Sequence, residues 1–169
     1  MGINTDIIRN SRSLIISYSY TGHTHKIAET IRDIVGADIC EIYPRQPYPM
    51  VFLDLLAQVK KEIQTNRYPG LLPGSADPDL YQILFVGSPN WCGTLAPPLI
   101  TWLSSFDLAG KTIIPFYSHC GGVPCDFQKD ILKICPEADV KTALGIIESE
   151  NDYQDLISEW IEKTMGRLE

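Results

Sequence analysis

Apolar residues in this chain fall into short unbroken runs and into longer runs that recur every three or four positions. The short runs are "SLIISY" (13–18), "ADICEIY" (37–43), "YQILFVGSPN" (81–90), "KTIIPFYS" (111–118) and "KTALGII" (141–147). Bounded by turn-forming residues, each reads as a buried strand. Between them the period changes. Ile27, Ile31, Ile34 and Val35 share one face of a helix expected to start at Thr24, a residue suited to an N-cap, and to stop at Gly36. A second helix is expected over about 50 to 66, between Pro/Gly breaks. "PPLITWLSSF" (97–106) opens with prolines tolerated in a first helical turn and carries Leu99, Ile100, Leu103 and Phe106. "CDFQKDILKIC" (125–135) turns Phe127, Ile131 and Ile134 inward. "DYQDLISEWIEKTMGR" (152–167) closes with a stripe of Leu156, Ile157, Trp160, Ile161 and Met165.

Strands that are apolar throughout imply a parallel sheet covered on both faces, and βα alternation supplies right-handed crossovers. Five βα units are too few for an eight-stranded barrel. The expected architecture is therefore α/β in three layers: an open, doubly wound, five-stranded parallel sheet of order 2-1-3-4-5. Pro115 inside the fourth strand predicts an edge position or a bulge. Such a sheet binds ligands beyond the carboxyl ends of its strands, where the order switches between the first and third. Functional residues are expected in the loops after strands one, three and four. Residues 1–12 read as a polar lead-in and 13–169 as a single domain.

Composition narrows the setting. The chain has 169 residues, 44% hydrophobic and 21% charged, which suits one ordinary globular core. No apolar run approaches the ~18 residues of a membrane helix, and the start lacks the apolar core of a secretory signal. No membrane partner and a cytoplasmic location are expected. The formal charge of −7 speaks against a nucleic-acid partner and suits docking to a basic protein surface. Five irregularly spaced cysteines, Cys40, Cys92, Cys120, Cys125 and Cys135, offer neither a disulfide framework nor zinc-ligand spacing. "CGGVPC" (120–125) could be a redox dithiol, although free thiols are the simpler reading.

The candidate chemistry starts after the first strand. In "SYTGHTHK" (19–26) Ser19, Thr21 and Thr24 bring hydroxyls, Gly22 permits a left-handed backbone, and the first amides of the helix point into the same turn. Those amides and the positive end of the helix dipole can hold an anion without a cationic ligand, so a terminal phosphate monoester fits. Nucleoside-triphosphate, dinucleotide and Cys-x5-Arg phosphate loops are all absent. After strand three, "GSPNWCGTLAPPL" places Trp91 at a loop tip. Taken singly it is expected to pack against its own domain; taken with the other loops it offers a face for a flat ligand. After strand four, "SHCGGVPC" sets a Gly pair behind Ser118, His119 and Cys120. Together the three loops describe a phosphorylated, flat aromatic cofactor.

These motifs resemble flavodoxins over roughly 13 to 165. "SYTGHT" is similar to the family's Ser/Thr-x-Thr-Gly-x-Thr loop for the phosphate of FMN, which implies that Ser19, Tyr20, Thr21, Gly22, His23 and Thr24 hold it. "GSPNWCGTLAPPL" resembles the family's segment whose Trp lies beside the isoalloxazine, implying that Ser88, Pro89, Asn90, Trp91 and Cys92 line one side of the ring. "YSHCGG" resembles the Gly-rich loop on the other side, implying Ser118, His119, Cys120, Gly121 and Gly122 there. His23 stands where Asn is commonest, and His119 and Cys120 replace smaller residues. The long insertion of some flavodoxins in the last strand is absent, which implies a short-chain form. The resemblance implies a flavodoxin-like fold, FMN as cofactor and no metal. It implies a one-electron carrier, cycling through the flavin semiquinone and exchanging electrons with redox partner proteins as a monomer or homodimer. The alternative is an NAD(P)H-dependent FMN oxidoreductase acting on quinones or similar acceptors, with His119 protonating the acceptor. A third reading is a module that has lost its cofactor.

Overall fold

The computed structural model describes residues 12–166; except for Arg12, the expected N-terminal lead-in lies outside them. Parallel strand β1 (Ser13–Ser17) lies between β2 (Asp38–Glu41) and β3 (Ile83–Trp91). On its far side β3 pairs in parallel with β5 (Thr112–His119), and a two-residue strand β4 (Thr94–Leu95) folds back antiparallel on the end of β3. The outermost position is shared by β6 (Asp139–Val140) and β7 (Leu144–Ile147), both parallel to β5. Counting these two as one strand gives the expected order 2-1-3-4-5.

That break has a local cause. Asp139 and Val140 pair with Thr112 and Ile113, and pairing resumes between Leu144 and Phe116. Residues 141–143 thus lie opposite Ile114 and Pro115. The expected disturbance is a bulge rather than an edge: β5 has neighbours on both sides, and the outer strand breaks opposite the proline, which has no N–H to donate.

Helices α1 (His23–Val35) and α5 (Gln154–Met165) cover one face of the sheet; α2 (Phe52–Thr65), α3 (Pro97–Ser104) and α4 (Phe127–Ile134) cover the other. Successive residues of β1 point to opposite faces. Leu14 and Ile16 join Leu84, Val86, Leu99, Leu103 and Phe127 on one side. Ile15 joins Ile27, Ile31, Phe85, Ile157 and Ile161 on the other. Three expectations are corrected. The N-cap of α1 is Gly22 at φ 93, with no side-chain cap, while Thr24 is buried in the first turn. Helix α3 stops at Ser104, two residues short of Phe106. Leu156 is 46% exposed and sits off the buried stripe of α5. Gly36 does end α1, in the left-handed conformation that favours glycine.

Near the carboxyl end of the sheet two glycines lie beneath aromatic rings. Gly87 pairs with Phe116, and a Cβ at 87 would run into the Phe116 ring; Gly145 pairs with Tyr117 in the same way. Gly87→Ala is therefore expected to lower stability by about 1 to 3 kcal/mol through overpacking. Urea unfolding checks this, and an unchanged midpoint would show that the ring moves aside freely.

Candidate functional site

The turn from β1 into α1 is built by its own hydroxyls. Gly22 N–H donates to Ser19 Oγ (3.0 Å), which closes a tight loop over a left-handed Gly22. A side chain at 22 would meet open space, so the glycine is needed for its backbone angle rather than for room. The first intrahelical bond is Lys26 N–H to Gly22 C=O (3.1 Å). The amides of His23, Thr24 and His25 precede it and project from the helix end. Thr21 Oγ1 lies 2.7 Å from His23 Nδ1, and Thr24 Oγ1 lies 2.8 Å from the buried Ser118 Oγ at the end of β5. The latter bond joins two of the three expected loops across 94 residues of sequence. His25 turns away, with its ring nitrogens 3.4 Å from the carboxylates of Glu29 and Glu41. The turn presents helix amides and alcohol groups, with the His23 ring bonded to one of those alcohols.

The second loop is a hairpin. Trp91 pairs with Thr94, and the two residues between them, Cys92 (φ 55) and Gly93 (φ 81), are both left-handed, the pattern of a tight β-turn. Ser88 is fully buried; its Oγ donates to Pro89 C=O (2.7 Å) and accepts from Ala96 N–H (2.8 Å). Ser88 and the buried Pro89 thus shape the hairpin from inside rather than present groups to a ligand. Asn90 donates from Nδ2 to Val123 C=O (2.9 Å), which ties the hairpin to the third loop, and its buried Oδ1 has no partner.

Trp91 packs against its own domain, as expected of it taken singly. It is half-buried against Tyr18, Tyr20 and Tyr48, at centroid distances of 5.4, 5.6 and 5.1 Å and interplanar angles of 77°, 76° and 81°. These near-perpendicular contacts fix the plane of the indole. The cage is anchored in turn: Tyr48 OH donates to Glu62 (2.8 Å), and Tyr20 OH donates to Pro49 C=O (2.6 Å). The same segment carries Met50, Val51, Phe52 and Leu53 exposed into α2. Burial pushes the hydroxyls of Tyr18 and Tyr48 well above the ordinary phenol range, and the hydrogen bond to Glu62 adds to the effect at Tyr48.

In the third loop Gly121 (φ 95) and Gly122 (φ 85) are left-handed, and Gly121 N–H donates to His119 Nδ1 (3.0 Å). Cys120 is exposed and its thiol donates to Glu148 Oε2 (3.4 Å). Glu148, just past β7, donates its backbone N–H to His119 C=O (2.7 Å), and its carboxylate lies 3.5 Å from His23 Nδ1. A small cavity lined by His23, Lys26, Ser118, Glu148 and Tyr153 opens there against α1. All five cysteines are free thiols. Among the described residues no cluster could hold a metal ion, and no helix is long and apolar enough to cross a membrane.

The three expected loops therefore meet at one edge. Tyr18, Tyr48 and Glu148 also belong there and were not anticipated. Tyr48 arrives from the connection into α2, and Glu148 from the loop after the fifth strand, neither of which carries a motif.

Comparison with known proteins agrees with this architecture. A family model described as Flavodoxin matches residues 12–164. No curated protein matches the chain. A candidate flavoprotein from Bacteroides eggerthii is similar in structure at 25% identity and TM-score 0.78, covering 92% of this chain and 99% of its own. A second, from Bacteroides uniformis, is similar at 21% identity and TM-score 0.77, covering 90% and 98%. A flavoprotein from Lactobacillus acidophilus in complex with FMN is similar at 20% identity and TM-score 0.73, covering 89% and 98%.

Proposed function

The chain belongs to the flavodoxin family, and from that premise we infer that it binds FMN and carries single electrons between redox partner proteins. The observation that carries this reading is the neutral cradle at α1: projecting helix amides, alcohol groups and a left-handed Gly22, set where the strand order reverses. Its donor set fits a phosphate monoester. The unpartnered Asn90 Oδ1 between the second and third loops fits a ligand that brings an N–H donor, as a flavin does.

Ser19, Thr21, Gly22, His23 and Thr24 would hold the phosphate, with Tyr20 locking the loop to Pro49. Asn90, Trp91 and Cys92 would flank one side of the ring, placed by Ser88 and Pro89, and Ser118, His119, Cys120, Gly121 and Gly122 the other. Bound FMN supplies the one-electron redox chemistry. The tyrosine cage holds Trp91 in one orientation before the cofactor arrives, which reduces the entropy lost on binding. The Gly121–Gly122 peptides can reorient without a Cβ penalty. The charge of −7 suits partners with a basic surface.

His119 accepts from Gly121 N–H through Nδ1, which shapes the loop and leaves the ring proton on Nε2, a geometry compatible with a loop-shaping role and with the proton donor that an oxidoreductase would need. Stepwise reduction of the FMN-loaded protein checks the carrier reading. Two resolved one-electron midpoints are expected, with slow NAD(P)H consumption in the presence of a quinone. A single two-electron step with rapid NAD(P)H turnover would overturn it in favour of the NAD(P)H-dependent oxidoreductase.

Trp91→Ala is expected to raise the emission of bound FMN severalfold while weakening its binding by only about 1 kcal/mol, the scale of one aromatic contact. Equal emission from wild type and variant would place the indole away from the ring.

A further inference from the structure

We propose that Glu148 is a specificity residue of this site: its carboxylate, fixed beside the α1 cradle, weakens the hold on a phosphate dianion and so limits the preference for FMN over unphosphorylated riboflavin. This rests on the FMN reading above and adds to it a residue that no phosphate motif contains.

The placement is built from three contacts. Glu148 N–H donates to His119 C=O (2.7 Å), so the third loop positions its backbone. Its Oε2 accepts from the Cys120 thiol (3.4 Å) and lies 3.5 Å from His23 Nδ1. His23 Nδ1 lies in turn 2.7 Å from the cradle hydroxyl of Thr21. One imidazole thus separates the carboxylate from a group that would bind phosphate. Partial desolvation at the loop and the hydrogen-bonded Glu148 carboxylate push the Cys120 thiol up, which keeps it a protonated donor to Glu148.

The other charged groups nearby do not take this role. Glu150 lines the same cavity, but its carboxylate accepts from the Asn151 and Asp152 amides (3.2 and 3.3 Å). Glu29 and Glu41 are paired with His25. Lys26 also lines the cavity and is the cation that opposes Glu148 there. With the cradle empty, Glu148 gives His23 and Cys120 an anionic neighbour. With a phosphate in place, two anions share that end of the site, which a neutral ligand such as riboflavin does not suffer.

Flavin fluorescence titration of the full chain tests this with FMN and with riboflavin, at low and at raised ionic strength. Glu148→Gln is expected to lower the Kd for FMN roughly tenfold, as for one unit charge removed near a dianion. The Kd for riboflavin should stay within about twofold, because no charge meets it. Glu148→Ala should reproduce the shift, since charge rather than shape is responsible, and salt should narrow the gap between variant and wild type. An unchanged FMN Kd, or equal shifts for both flavins, would overturn the role of Glu148 while leaving FMN binding intact. A wild-type chain that binds neither flavin would instead overturn the FMN reading, and this inference with it.

Discussion

Replacing Thr21 and Thr24 together by Ala is expected to weaken FMN binding by about 2 to 4 kcal/mol, the scale of two hydrogen bonds to a charged acceptor. The structure separates the two contributions. Thr21 is exposed and its hydroxyl meets only His23, so Thr21→Ala should act on binding with little effect on the empty protein. Thr24 is 2% exposed and its hydroxyl faces Ser118 inside the domain. A hydroxyl can accept from one neighbour while donating to another, so Thr24 can accept from Ser118 and donate to phosphate. Thr24→Ala removes that donor and also leaves the buried Ser118 without its partner, at about 1 to 3 kcal/mol of stability. Thr24→Ser should restore both. Isothermal titration gives the binding loss, and urea unfolding of the empty protein gives the stability loss. Unchanged affinity in the double variant would mean that the phosphate is held elsewhere.

The same pair shows what could be read along the chain and what could not. Thr24 is conspicuous because it follows a strand, a Gly and two other hydroxyl residues, and the periodicity around it marks the start of a helix. The sequence does not reveal that its hydroxyl points inward to Ser118, a contact made only once β5 lies beside β3. The five strands, the five helices and their order follow from apolar runs, because a run buried on both faces has few other places to go. Pro115 marks a disturbance, yet only the register shows that the neighbouring strand breaks opposite it. Gly87 and Gly145 look like ordinary strand glycines, and their need for an overlying ring appears only from cross-strand pairing. Trp91 announces itself by position, whereas its cage comes from residues 43 to 73 positions away, at Tyr18, Tyr20 and Tyr48. Tertiary pairing of polar groups, as at Glu148 and His23, has no local period to betray it.

Above pH 10 the protein is expected to lose stability steeply, by about 3 kcal/mol at pH 11 from Tyr18 and Tyr48 alone. Each is 5% exposed or less in the native state, and burial holds its hydroxyl protonated far above the usual range. In the unfolded chain both ionise near pH 10. Between those limits the unfolded state binds fewer protons than the native state, so the stability falls as pH rises, by up to ~1.4 kcal/mol per pH unit for each group. The direction is opposite to that of a paired carboxylate, whose contribution is lost as pH falls. Tyr117, pushed up to about 12 chiefly by burial and further by its hydrogen bond to Cys125, acts in the same sense. Urea midpoints at pH 9, 10 and 11 measure the slope. Tyr48→Phe removes one of the two buried phenols and should reduce the slope by about 1.4 kcal/mol per pH unit at pH 11. A midpoint that does not move between pH 9 and pH 11 would mean that water reaches these hydroxyls. Because both phenols wall Trp91, its emission should change in the same transition, linking the alkaline limit of the fold to the loss of the indole's fixed orientation.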